Sequence, residues 1–282
     1  MICGKEKTLS REPKSMIWCE SLTQRRSVSR VSLIIKGVVE MKVDIIISAD
    51  DISESKIENK IAVVIDMFRA TSVIVTAVNN GCKEIIPYLT VEETLEYAKK
   101  LNRGEYILGG ERRAVKIEGF DLSNSPLEYT EDVVKNKSVL MTTTNGTRTL
   151  TKSTIAKRIL IAAMINAKAV AERLLDINED VVIINAGTNG NFSMDDYICS
   201  GYIINEMLNH YKNLELTDIA KTANMIYEGN QDILSYVKHA THYSVMKSLE
   251  LDNDIEYCTK KSFINIVPEY KDNKITLMSS FR

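Results

Sequence analysis

The sequence predicts an α/β fold: a mixed, largely parallel sheet with flanking helices in a layered arrangement and a helix-rich C-terminal part. Three observations predict it. From Met41 to about residue 194, short β-branched runs alternate with helical patterns. Several of those runs end directly in polar turns rich in hydroxyls and glycine. Beyond residue 194 the apolar spacing turns mostly helical.

Taken in order, the runs 43–47, 61–65, 84–88, 106–108, 138–142, 158–162 and 181–185 read as strands. Gly81 stands where a C-cap would close a helix beginning near Ala70. Thr90-Val91-Glu92-Glu93 reads as a capping box opening a helix to about Leu101. Two late apolar runs, 264–267 and 275–278, are candidates to return to the sheet. A weak internal repeat links Lys83 to Leu101 with Lys157 to Leu175, each a strand followed by a helix. Polar turns precede both blocks, Asp66 to Ser72 and Thr142 to Arg148, so two α/β units would present equivalent loops at one sheet edge. Generic likeness between any two such units explains the repeat equally well. No low-complexity linker interrupts 41–282, which reads as one α/β body.

The first forty residues differ. They hold eight Lys/Arg and four Glu, a net of +4, whereas the rest carries 28 basic and 34 acidic residues, net −6. They show no clear helical or strand period, and the short run Val31 to Ile35 lacks the cleavage site of a secretory signal. Lys36-Gly37-Val38 is encodable by a ribosome-binding-site-like stretch just before Met41, so the leader is expected to be disordered or an upstream mis-start, with translation beginning at Met41.

The net charge of −2 leaves no electrostatic footprint for a nucleic-acid partner. No apolar run approaches the ~20 residues that cross a bilayer, so no membrane partner is expected. Five scattered cysteines without a C-x-x-C pair read as reduced thiols in a cytoplasmic protein.

The turns carry the chemistry. In open α/β sheets ligands bind at the carboxyl ends of strands. The strand 61–65 ends in Asp66-Met67-Phe68-Arg69-Ala70-Thr71-Ser72, a carboxylate, a cation and two hydroxyls at a helix start, suited to an oxyanion. The same residues also read as a helix cap with an Asp66–Arg69 pair. Thr143-Thr144-Asn145-Gly146-Thr147 follows a second strand and offers a nest for phosphate or sulfonate; Asn185 to Asn191 repeats the theme. Glu111, Asp121 and the pair Asp195-Asp196 lie near these turns, and oxygen-only ligands without a His cluster point to Mg²⁺ rather than Zn²⁺. A capping box over Ser193 to Asp196 is the plainer account of that pair.

Several chemistries are missing. No P-loop, no Cys-x₅-Arg loop after Met41 and no G-x-S-x-G elbow occurs, and Asp66-Met67-Phe68 lacks the second Asp of a D-x-D phosphatase nucleophile turn. His239 and His242 would share a helix face, read as solvated surface rather than a metal site. Cys199 and Cys258 read as small buried residues.

Ile65 to Thr71, Gly110-Glu111-Arg112, Gly119 to Glu128 (containing Asn124-Ser125-Pro126), Thr143 to Thr147 and Asp195-Asp196 fall in an order that resembles the 2-phosphosulfolactate phosphatase family. The resemblance runs from Met41 to about Pro268, with Asp254 to Cys258 near its end. It departs at Ser123, where Gly is expected, and at Lys260-Lys261-Ser262, where a more acidic stretch is expected. It implies an α/β fold and a Mg²⁺-dependent phosphatase converting 2-phospho-3-sulfolactate to 3-sulfolactate and phosphate in coenzyme M biosynthesis.

On that basis Asp66, Arg69 and Asp196 are the expected catalytic residues. Arg69, Thr71, Ser72, Asn124, Ser125, Thr143, Thr144, Asn145, Gly146 and Thr147 are expected to hold the small polyanionic organic phosphate, and Asp66, Glu111, Asp121 and Asp195 the Mg²⁺. Attack by metal-bound water is the first choice, an aspartyl-phosphate on Asp66 the second. A sensor or carrier for a small phosphorylated acid is the non-enzymatic alternative, and a homo-oligomer is compatible with either.

Overall fold

In the computed structural model, the described residues are 41–278. The leader expectation for residues 1–40 falls outside them. The strands are β1 (Lys42–Ile46), β2 (Ile61–Ile65), β3 (Glu84–Pro87), β4 (Tyr106–Arg112), β5 (Val115–Lys116), β6 (Ser138–Thr142), β7 (Arg158–Ala162), β8 (Val181–Asn185), β9 (Glu215–Leu216), β10 (Pro268–Lys271) and β11 (Lys274–Leu277). The longer helices are α1 (Ala70–Asn79), α2 (Val91–Ala98), α3 (Gly146–Lys152), α4 (Ala167–Ile177), α5 (Met194–His210), α6 (Asp218–Gly229), α7 (Ile233–Val237), α8 (Thr241–Ser248) and α9 (Asp252–Thr259).

Each of the seven expected early strands forms. β2, β6 and β8 are buried along their whole length, because helices or loops cover both faces, and this is why they read as unbroken apolar runs. Gly81 takes a φ of +82° just beyond α1, and Thr90 and Glu93 close the capping box of α2. The late region differs from expectation. The run 264–267 stays outside the sheet, and the strands are 268–271 and 274–277. Asp272 and Asn273 join them with φ of +51° and +61°, a two-residue hairpin turn of residues that tolerate left-handed backbone.

Sheet order is β5-β4-β6-β3-β11-β10-β7-β2-β8-β1-β9. The β10–β11 hairpin sits at its centre, antiparallel to β7 on one side and to β3 on the other. Flanking it are two parallel triplets, β3-β6-β4 and β7-β2-β8, which therefore run in opposite directions. In chain order the units are β2-α1-β3-α2-β4 and β6-α3-β7-α4-β8. Exchanging β2 with β6, β3 with β7, β4 with β8 and β10 with β11 reproduces the order of these eight strands read backwards. The weak sequence repeat is thus a pair of interlocked units, each lending a strand to the other's half. Because the halves are antiparallel, β2 and β6 run in opposite directions, and their loops do not sit side by side along one parallel edge.

One core lies under α4, α5 and α6 and includes Ile65, Met67, Ile198 and Ile203. The opposite face packs α1 and α3 residues, among them Val73, Ile74 and Leu150, against β2, β6 and β7. Among the described residues no helix is long and apolar enough to cross a membrane.

Candidate active site

The loops after β2 and β6 meet. A Cβ at Gly146 would stand 3.1 Å from Asp66 Oδ2 and 2.7 Å from Ala70 Cβ, so only glycine allows this approach. A cavity of about 210 Å³ opens beside them. Asp66, Phe68 and Arg69 line it from the first loop, Thr144 and Asn145 from the second. Glu111, Arg113 and Ala114 reach it from the β4–β5 turn, Asn124 from the following loop, Thr188 and Asn189 from the loop after β8, and His242 and Val245 from α8. Larger grooves of about 660 and 940 Å³ lie elsewhere, but their lining includes charges already paired, Arg158 with Glu269 and Lys274 with Glu84.

Asp66 is buried at the start of α1. Its Oδ1 accepts from the Ala70 N–H at 3.3 Å, and its backbone C=O accepts from the Thr71 N–H at 3.0 Å. The helix terminus expected to hold an external oxyanion is therefore engaged by Asp66 itself. Burial, followed by the charge of Glu111, pushes the Asp66 carboxyl up to about 8, against a lowering by the Ala70 hydrogen bond. Glu111 is 7% exposed and fixed at both oxygens: Oε1 accepts from the Thr144 N–H at 2.6 Å, Oε2 from the Ala114 N–H at 2.7 Å.

Arg69 lines the cavity but is not a bare cation. Its Nη1 lies 2.5 Å from Asp254 Oδ2 in a buried pair, and Nη2 donates to the Ala114 carbonyl at 2.9 Å. Ser125 Oγ donates to the other Asp254 oxygen at 2.6 Å, so Ser125 stands behind the cavity, positioning Asp254 rather than meeting a ligand. Asn124 Oδ1 and Thr144 Oγ1 are buried without a hydrogen-bond partner, two neutral oxygens at the cavity.

Other expected residues brace the loops from inside. Thr71 Oγ1 accepts from the Asp66 N–H at 3.0 Å, and Ser72 Oγ donates to the Met67 carbonyl at 2.9 Å. Thr143 and Thr147 bond each other: the Thr147 N–H donates to Thr143 Oγ1 at 3.1 Å, and Thr147 Oγ1 to the Thr143 carbonyl at 2.8 Å. Asp196 ties two loops together, Oδ1 accepting from the Met67 N–H at 2.8 Å and Oδ2 from the Gly187 N–H at 3.0 Å. Burial, then the charges of Asp195 and Asp66, raise its carboxyl well above the usual range. In place of the Ser193–Asp196 capping box, Ser193 Oγ donates to Asp195 Oδ1. Asp195 Oδ2 faces His242 Nδ1 at 3.4 Å.

Asp121 is the expected metal ligand that does not reach the cavity. Its carboxylate pairs with Arg103 and accepts from the Leu108 N–H at 2.8 Å, fixing the return of the chain past β4. Among the described residues, no group of three or more His, Cys, Asp or Glu side chains forms a metal-binding set. Ser123 needs no glycine geometry: its φ is not positive, and its hydroxyl donates to Glu128 Oε1 at 2.7 Å. Cys258 is buried, and burial pushes its thiol up to about 12, as suits a packing residue.

Sequence reasoning missed three residues. His242 is packed edge-on to Phe68 and lines the cavity instead of facing solvent. It shares no helix with His239, because α7 ends at Val237 and α8 begins at Thr241. Burial alone would lower its pKa, but the hydrogen bond to Asp195 and the charges of Asp195 and Asp196 hold it above the ordinary value. Asp254 is given no role by the sequence, whose only signal is its place in the stretch Asp254 to Cys258 near the end of the family resemblance. Arg113 sits with Ala114 in a two-residue turn at φ of +54° and +63°. Neither residue favours that conformation, which costs of the order of 1–3 kcal/mol per residue.

The family model described as 2-phosphosulpholactate phosphatase matches residues 46–273. A Clostridium beijerinckii protein named "Probable 2-phosphosulfolactate phosphatase" is 74% identical over 236 residues, covering 84% of this chain and 99% of its own. One of the same name from Clostridium botulinum is 73% identical over 235 residues, 83% of this chain and 99% of its own. Another from Clostridium acetobutylicum is 58% identical over 235 residues, 83% of this chain and all of its own. The chain belongs to the 2-phosphosulfolactate phosphatase family.

Proposed function

We propose that this family member hydrolyses 2-phospho-3-sulfolactate to 3-sulfolactate and phosphate with Mg²⁺ bound. The observation that carries the reading is the pair of buried carboxylates, Asp66 and Glu111, at one small cavity with Asn124 Oδ1 and Thr144 Oγ1 unpartnered beside them. Burial first and then the charge of Glu111 push Asp66 up to about 8, a cost that a divalent cation offsets, and the available donors are all hard oxygens. Asp66 and Glu111 would hold the ion, with Asn124 and Thr144 completing an oxygen set that leaves room for water and substrate. Bound there, Mg²⁺ would offset the charge of the phosphoryl oxygens.

The chain's own groups supply the proton chemistry. Asp66, whose Oδ1 accepts from the Ala70 N–H, faces the cavity and takes a proton from the attacking water. His242, oriented by Asp195 and held above its ordinary pKa, donates a proton to the departing alcohol oxygen. Arg69, steadied by Asp254, helps orient the phosphate.

Phosphate release from 2-phosphosulfolactate with Mg²⁺, and again with EDTA, tests the proposal. Release that EDTA abolishes and added Mg²⁺ restores is expected. Undiminished release in EDTA would overturn the metal assignment. Tight binding without release under either condition would make the protein a sensor or carrier.

A further inference from the structure

The cavity's ionisable lining is nearly all spoken for. Arg69 is committed to Asp254 and His242 to Asp195, while Asp66 and Glu111 are acidic. The neighbouring arginine of the expected motif, Arg112, is bound to the protein: it donates to the Glu111 carbonyl at 2.9 Å, the Leu89 carbonyl at 2.9 Å and Thr142 Oγ1 at 2.8 Å. Arg113 differs. It is exposed and lines the same cavity, and among the described residues no hydrogen bond or ion pair engages its guanidinium.

Its backbone, in contrast, is held firmly. Ala114 donates its N–H to Glu111 Oε2 at 2.7 Å and accepts from Arg69 Nη2 at 2.9 Å. These two anchors tie the β4–β5 turn to the acidic centre and keep Arg113 and Ala114 in left-handed backbone. The β10–β11 hairpin makes its two-residue turn with Asp272-Asn273, which adopt that conformation readily. At β4–β5 the turn instead carries an arginine, at the one place where it meets the cavity.

We propose that Arg113 binds the non-transferred anionic end of the substrate, its sulfonate or its carboxylate, and thereby selects a phosphate ester that carries further negative charge. This rests on the hydrolase reading above. A guanidinium suits either oxyanion because its fixed donors match two oxygens at once.

The test compares wild type, Arg113→Asn and Arg113→Lys on three esters. These are 2-phosphosulfolactate, 2-phospholactate, which lacks the sulfonate, and 1-sulfopropan-2-yl phosphate, which lacks the carboxylate. Asn suits the turn's backbone and removes the charge. Arg113→Asn is expected to raise KM for 2-phosphosulfolactate about 10- to 100-fold with little change in kcat, and Lys to recover part of the loss. The penalty should shrink or vanish on the analogue that lacks the group Arg113 holds, which assigns that group. An undiminished penalty on both analogues, or none on the full substrate, overturns the proposal. If wild type releases phosphate from none of the three, the hydrolase reading fails instead. Calorimetric titration of 2-phosphosulfolactate onto wild type and Arg113→Asn then still reads Arg113, and equal affinities would overturn its role.

Discussion

After β2 the backbone N–H of Asp66 donates to Thr71 Oγ1 at 3.0 Å; after β6 that of Thr143 donates to Thr147 Oγ1 at 3.4 Å. Both loops then enter a helix, and the exchange of strands between the two interlocked units brings them together over one cavity. Their side chains diverge. The first loop carries a carboxylate and an arginine; the second carries hydroxyls, an amide and a glycine. Two acidic loops at this separation would repel, whereas a small neutral partner lets Asp66 lie against residue 146. Topology sets where the loops meet, and the asymmetry of their residues makes the meeting point a site.

Substitution at Gly146 should break the comparison most strongly. Gly146→Ala inserts a methyl 2.7 Å from Ala70 Cβ and 3.1 Å from Asp66 Oδ2, forcing the loops apart. A loss of about 1–3 kcal/mol is expected, as for other overpacked sites, with a Tm drop of about 2–4 °C per kcal/mol and a fall in phosphate release. Unchanged Tm and activity would mean that the loops do not need this contact.

A smaller effect of opposite sign is expected at Asp66. An unfolded aspartate ionises near 3.9, whereas the folded carboxyl is held up to about 8. Between those values the unfolded chain binds fewer protons, so stability falls as pH rises through the window. In EDTA, Asp66→Asn should therefore melt above wild type by a few degrees near pH 8, with the gap closing towards pH 4. Melting curves across that range check it, and a gap independent of pH would contradict the charge account.

Local pattern made much of this legible. β-branched runs ending in polar turns located β2, β6 and β8 and, at their ends, Asp66, Asn145 and Thr144. What sequence could not supply were contacts closed over long separations. Asp254 lies 185 residues from the arginine it neutralises, and no local rule joins them. His242 looked like surface because its spacing from His239 suggested a shared helix that the chain interrupts at residues 238–240. Arg113 and Ala114 form a hairpin turn without turn-type residues, so nothing in composition marked them. Asp121 misled in the reverse direction, its position beside a polar turn suggesting a ligand when Arg103 had claim to it.

The central claim is that Asp66 belongs to the reacting centre and Asp121 to the scaffold. Phosphate release from 2-phosphosulfolactate in Mg²⁺ by Asp66→Asn and Asp121→Asn tests it most directly. The account predicts a loss of roughly 10³-fold for Asp66→Asn in folded protein and near-wild-type turnover for Asp121→Asn. Near-normal activity in Asp66→Asn, or equal loss in both, would contradict it.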